Sequence, residues 1–146
     1  MMNKEFFDSS GCSLCDDRRK LVLSENRCQI VFENPTLKSI CQVRIDDCLI
    51  QSGIRCDYLV IVPEKSEAFF IELKGHDFLQ AIRQIDRSIN VLNEHLDSTR
   101  INARIVLTKV NTPDLMNNPT LLKFEKKIRK LKGTLKKGTL KMIEKV

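Results

Sequence analysis

The chain has no tryptophan, one tyrosine and two histidines in 146 residues. Without them it lacks an aromatic platform on which successive bases could stack, the usual device of sequence-tolerant single-strand binders. No apolar run approaches the roughly 20 residues that cross a bilayer as a helix, so no membrane partner is expected. The first residues, MMNKEFFDSSGC, lack the apolar stretch of a signal peptide. A cytoplasmic location follows as the expectation. In that reducing setting the six cysteines are expected to be thiols or metal ligands, not disulfides. Cys12 and Cys15 have zinc-ligand spacing, and Cys28 or Cys41 could complete four ligands. There is no second CxxC, and His76 and His95 lie far along the chain, so free thiols are the default and Cys48 and Cys56 read as small core residues.

What is present is a soluble, globular composition, 42% apolar and 30% charged, in a length that suits one domain over residues 1–146. The net charge of +6 is unevenly spread. From Leu121 to Val146 there are ten Lys or Arg and two Glu, a charge of +8, which leaves −2 for the rest. A basic segment beside a nearly neutral body suits a polyanion such as DNA, because each neutralised phosphate releases counterions. Lys126, Lys127, Lys130 and Lys137 are the candidate nucleic-acid contacts. A solvated lysine-rich helical face explains the charge equally well.

Along the chain, residues 1–27 form a cysteine-containing segment with one helical stretch, Asp16 to Ser24. Cys28 to Phe32 and Ile40 to Ile45 read as strands separated by the Asn34-Pro35 turn. Cys56 to Pro63 and Ala68 to Lys74 are apolar on both faces, as in central strands covered on both sides. The four-residue link Glu64–Glu67 makes them a hairpin that pairs Pro63 with Ala68. Asp77 is a good N-cap for a helix carrying Phe78, Ile82, Ile85, Ile89, Leu92 and Leu96 at helical period. Ala103 to Val110 follows as a strand. Asn118-Pro119 opens a last helix to about Leu131, within a basic helix and tail spanning 119–146. KGTLK recurs at Lys132 and Lys137, too short an echo for a structural repeat. The fold class is α/β, a mixed central sheet flanked by helices.

The informative oddity is charge inside strands that otherwise look buried. Asp57, Glu72 and Lys74 interrupt apolar runs, and buried charges should be paired or bind a metal. In the expected hairpin register Asp57 faces Lys74 and Leu59 faces Glu72, which puts all three charges on one face; a slip of one residue would break the set. Two carboxylates at a sheet end offer hard oxygens to Mg²⁺, with the Leu73 carbonyl as a possible third ligand. A nearby ammonium can hold the attacking water and offset charge on a phosphate. A structural buried ion pair is the competing reading.

Asp57, fourteen intervening residues, then Glu72-Leu73-Lys74 resembles the PD-(D/E)xK nuclease superfamily, which includes restriction endonucleases and Holliday junction resolvases. The strand–turn–strand–helix–strand order from 55 to 110 is similar to that family's core. The resemblance covers about 55 residues. It implies Asp57 and Glu72 as metal ligands, Lys74 as catalytic lysine, Mg²⁺ or Mn²⁺ as cofactor, and hydrolysis that leaves a 5′-phosphate. Many members carry a glutamine on the following helix, a role open to Gln80 or Gln84; with Arg87 these form one stripe. Cys56 stands where the family name has proline. The acidic residue common on a first helix has no clear counterpart, with Glu25 and Glu33 as candidates. Asp46-Asp47 reads as a turn more readily than as a second metal ligand, and His76 as an ordinary helix-start residue. The expectation is thus a DNA endonuclease, acting alone, as a homodimer or in a larger complex, in defence or repair. A non-cutting nucleic-acid-binding or assembly subunit of the same fold is the alternative.

Overall fold

The computed structural model describes residues 2–73, 75–109 and 115–146. Its elements are α1 (Lys4–Ser9), β1 (Ser13–Asp16), β2 (Lys20–Glu25), β3 (Cys28–Glu33), β4 (Ile40–Arg44), β5 (Tyr58–Val62), β6 (Glu67–Leu73), α2 (Phe78–Leu92), β7 (Arg100–Leu107), α3 (Pro119–Lys130), β8 (Leu135–Thr139) and β9 (Lys141–Lys145). Six strands form a mixed sheet in the order β1-β4-β5-β6-β7-β8, and β2-β3-β9 form a second sheet. Neighbours from β1 to β6 are antiparallel, whereas β6, β7 and β8 run parallel. This is a mixed α/β domain. No helix among the described residues is long and apolar enough to cross a membrane.

The two faces of the large sheet are covered differently. On one face Leu59, Ile61, Ala68, Phe70 and Ile105 pack with Ile82, Ile85 and Ile89 of α2 and Ile128 of α3. On the other, Val60, Val62, Phe69 and Ile71 pack against Leu21, Leu23, Ile30 and Phe32 of the small sheet. Each Val, Leu, Ile or Phe among them contributes about 1.5–3 kcal/mol by leaving water. Two-sided covering explains why the runs around Leu59 and Phe70 are apolar throughout. Asp77 caps α2 by accepting the Gln80 N–H at 3.1 Å, and Asn118 caps α3 through the Thr120 and Leu121 N–H groups.

A charged pair crosses between the layers. The Arg104 guanidinium, 2% exposed, grips both Glu144 oxygens at 3.0 and 2.8 Å and donates to the Thr134 carbonyl at 2.8 Å. It also lies over the Phe69 ring, 5.2 Å from the centroid. This anchors β9 to β7.

Four expectations are corrected. Asp16 to Ser24 is not helical: within β2, Leu21 and Leu23 are buried while Lys20, Val22 and Ser24 are exposed, a period of two. The basic segment 119–146 is not a helix and tail, because after α3 it supplies β8 and β9. Lys132 (φ 64°) turns the chain, with the Lys132 N–H bonding the Arg129 carbonyl and the Gly133 N–H bonding that of Ile128. Gly133 is required there, since a Cβ would sit 1.6 Å from the Ile101 carbonyl oxygen. The KGTLK echo runs through β8 into β9.

The hairpin register is displaced by two residues. Val62 pairs with Glu67 and Leu59 with Phe70, because Pro63–Lys65 form a 3-10 turn and Ser66 takes φ 48°. Proline lacks the N–H that a ladder position would use and suits the first position of such a turn. A two-residue shift preserves which face each side chain takes.

The cysteines also depart from expectation. Cys12 is joined to Cys48 and Cys15 to Cys41, while Cys28 and Cys56 are free and buried. Cys15 and Cys41 are cross-strand partners in the β1–β4 ladder, and the Cys12 and Cys48 Cα atoms lie 5.9 Å apart, an ordinary disulfide span. With their sulfurs paired elsewhere, Cys12 and Cys15 do not form a zinc site. Val110, the expected end of the β7 run, lies outside the described residues.

Candidate active site

Asp57 sits immediately before β5 and Glu72 near the end of β6, and each is 2% exposed. The Asp57 N–H bonds the Ile71 carbonyl at 3.1 Å. Its Oδ2 accepts the Leu73 N–H at 2.7 Å, so the carboxylate caps the strand end where ladder pairing stops. Along β6, Ala68 and Phe70 face the helices, and alternation puts Glu72 on that same side. Both carboxylates bear on one buried group: the Cys56 thiol is pushed up first by burial and then by the charges of Glu72 and Asp57, despite its Ser88 hydrogen bond. It is held as a neutral thiol and is no nucleophile.

A cavity of about 160 Å³ opens beside Asp57, lined also by Asp46, Gly53, Ile54, Arg55 and Gln84. The loop between β4 and β5 forms its rim, and α2 clamps that loop. Gln84 Nε2 donates to the Arg55 carbonyl at 3.1 Å. Arg87 donates to the carbonyls of Ser52 at 2.9 Å and Ile54 at 2.8 Å. The Ser88 hydroxyl, fully buried, accepts the Cys56 N–H at 2.9 Å. Gly53, at φ +78°, leaves room for the Arg87 guanidinium, which a Cβ would approach within 2.6 Å. Arg55 in turn pairs with Asp46 at 2.9 Å and Asp47 at 2.5 Å.

Asp57, Asp46 and Gln84 line that cavity, and Asp57 and Glu72 both act on the Cys56 thiol. Lys74 lies outside the described residues. Leu73 has its side chain in the core between the sheets and its amide on Asp57. Gln80 gives its backbone N–H to the Asp77 cap of α2. His76 is exposed, and His95 stacks on Phe6. Glu25 accepts the Tyr58 hydroxyl at 3.4 Å on the small-sheet side. The candidate nucleic-acid lysines divide in two. Lys126, Lys130 and Lys137 are exposed, Lys137 with its ammonium 4.9 Å above the Phe78 ring, while Lys127 pairs with Asp86 of α2 at 2.5 Å. The clamp residues Arg55 and Ser88 escaped the sequence reading; the signal for Ser88 was a hydroxyl interrupting an apolar helix stripe.

A hard divalent cation fits this donor set better than a soft one, since carboxylate oxygens are at hand and the free thiols are buried and protonated. Among the described residues no group of three or more His, Cys, Asp or Glu is placed to hold a metal. Asp57 and Glu72 would therefore share the cation with waters, an arrangement that Mg²⁺ accepts. Comparison with protein families, with characterised proteins and with solved structures finds no match for the chain.

Proposed function

We propose that the protein is a Mg²⁺- or Mn²⁺-dependent nuclease acting on DNA, with a restriction endonuclease-like core. The observation that carries this reading is a pair of buried carboxylates at adjoining strand ends, Asp57 just before β5 and Glu72 near the end of β6, with a polar cavity beside Asp57. The order β5, turn, β6, α2, β7, with β7 parallel to β6, supports the resemblance seen in the sequence. Asp57 and Glu72 would hold the cation, with the Leu73 carbonyl as a further donor. A bound cation supplies an activated water and a Lewis acid for the phosphate. Lys74, two residues after Glu72, contributes an ammonium that orients the attacking water and offsets charge growing on the phosphate. Gln84 acts as a positioning residue: it and Arg87 fix the rim of the cavity, so the Asp57 carboxylate keeps one orientation.

Lys126, Lys130 and Lys137 offer the phosphate contacts, and the chain works alone, as a homodimer or within a larger complex. The two disulfides weigh against the expected cytoplasmic location, because such bonds persist in oxidising surroundings. A second reading, a non-cutting binding or assembly subunit, is favoured by one observation: an Asp57 oxygen is already engaged by the Leu73 amide. Incubation with supercoiled, linear, branched and single-stranded DNA, with and without Mg²⁺ or Mn²⁺, separates the two. Metal-dependent products ending in 5′-phosphate support the nuclease; binding without cleavage of any substrate supports the second reading.

A further inference from the structure

A larger cavity, of about 460 Å³, lies between α3, β8 and the start of α2. Phe78, Leu121, Ile128 and Leu135 give it apolar walls, and Arg129 and Lys137 bring cations to it against the single carboxylate of Glu125. It has no part in the carboxylate site, yet the sheet aligns the two. Glu72 pairs with Ile105 of β7, and Ile105 pairs with Lys137 of β8. Paired residues of parallel strands point to the same face, so Lys137 stands level with Glu72 on the helix side. Two strand spacings separate them, about 10 Å.

We propose that this cavity is a subsite for one unstacked nucleotide of single-stranded DNA, its base against the aliphatic walls and its phosphate on Lys137 and Arg129. This rests on the nuclease reading and deepens it by naming the substrate class. The volume falls within the range of small-molecule sites, with apolar lining and few polar groups. A base paired within a duplex is stacked on both sides and cannot enter; a single strand, or a frayed end, can present one at small cost. The mixed lining matches a nucleotide, one part flat and apolar, the other anionic.

The test uses fluorescein-labelled dT12 and a blunt 12-base-pair duplex, with the full chain in EDTA so that no cleavage intervenes. Leu121→Trp, which fills the cavity, should weaken dT12 binding tenfold or more and leave duplex affinity within twofold. Lys137→Gln and Arg129→Gln, changed at exposed positions, should each weaken dT12 binding several-fold and reduce its salt slope by about 0.7 per lost contact. A circular dichroism melt checks that Leu121→Trp remains folded, and if it does not, the two Gln variants decide. Unchanged dT12 affinity in the folded variants, or an equal loss for both probes, overturns the subsite. If the binding pattern holds but wild type cuts nothing with Mg²⁺, the subsite stands and the nuclease reading falls.

Discussion

Removing the Cys12–Cys48 bridge gives a quantitative test of how the amino-terminal segment is held. The two disulfides are nested, Cys15–Cys41 closing 26 residues inside the 36 of Cys12–Cys48. Taken alone, a 36-residue loop would be worth about 4 kcal/mol of lost chain entropy. The inner bridge has already closed most of it, so the outer one closes only the short segments 12–15 and 41–48. Its own contribution is then about 3 kcal/mol, and the pair together about 6 kcal/mol on the chain-entropy account. For a chain of this size, Cys12→Ser/Cys48→Ser should lower Tm by about 6–12 °C in a non-reducing calorimetric melt. Dithiothreitol should destabilise wild type further than it does the variant. A thiol titration in guanidinium should find two reactive thiols, Cys28 and Cys56, and without denaturant neither should react at pH 8, because burial raises both. Six thiols in protein purified without reductant, or a Tm shift under 1 °C, would refute the reasoning.

Two further predictions concern the frame. Gly133→Ala should leave little folded protein in expression and melting assays, since the new methyl meets the Ile101 carbonyl in a turn with no flexible neighbour to yield. Arg104→Met should cost about 3–5 kcal/mol in urea denaturation by stranding Glu144, while Arg104→Met/Glu144→Leu should recover most of that loss; equal losses in the single and double variants would show that the pair does not act as a unit.

Much of the sheet was legible because its strands advertise themselves: the runs around Leu59 and Phe70 are apolar on both faces, and both faces are covered. The burial of Asp57 and Glu72 at adjoining strand ends could be read as well, and the parity on which their shared face depends is untouched by a two-residue error in register. The register itself was not legible, because Pro63 shortens β5 and begins the turn, a choice between equally long links. The disulfides were invisible for a different reason. Cys15 meets Cys41 only because β1 pairs with β4, a contact between distant segments that no local spacing announces. The strand character of the basic end was hidden too, since β8 and β9 are short and lysine-rich and take their order from β7 and β3. Lys74 remains known from the sequence pattern alone.

Cleavage by a matched set of variants tests the central claim most directly. Asp57→Asn is preferred to Asp57→Ala, because the amide oxygen can still accept the Leu73 N–H in a site that is buried instead of an open cleft. With supercoiled or single-stranded DNA and Mg²⁺, wild type should cut, and Lys74→Ala should cut the same substrate at least about a hundredfold more slowly while still binding Mn²⁺ by electron paramagnetic resonance. Asp57→Asn and Glu72→Gln should lose both cleavage and metal, with wild-type circular dichroism. Cleavage by Lys74→Ala at the wild-type rate, or metal-independent cleavage by Glu72→Gln, would contradict the account.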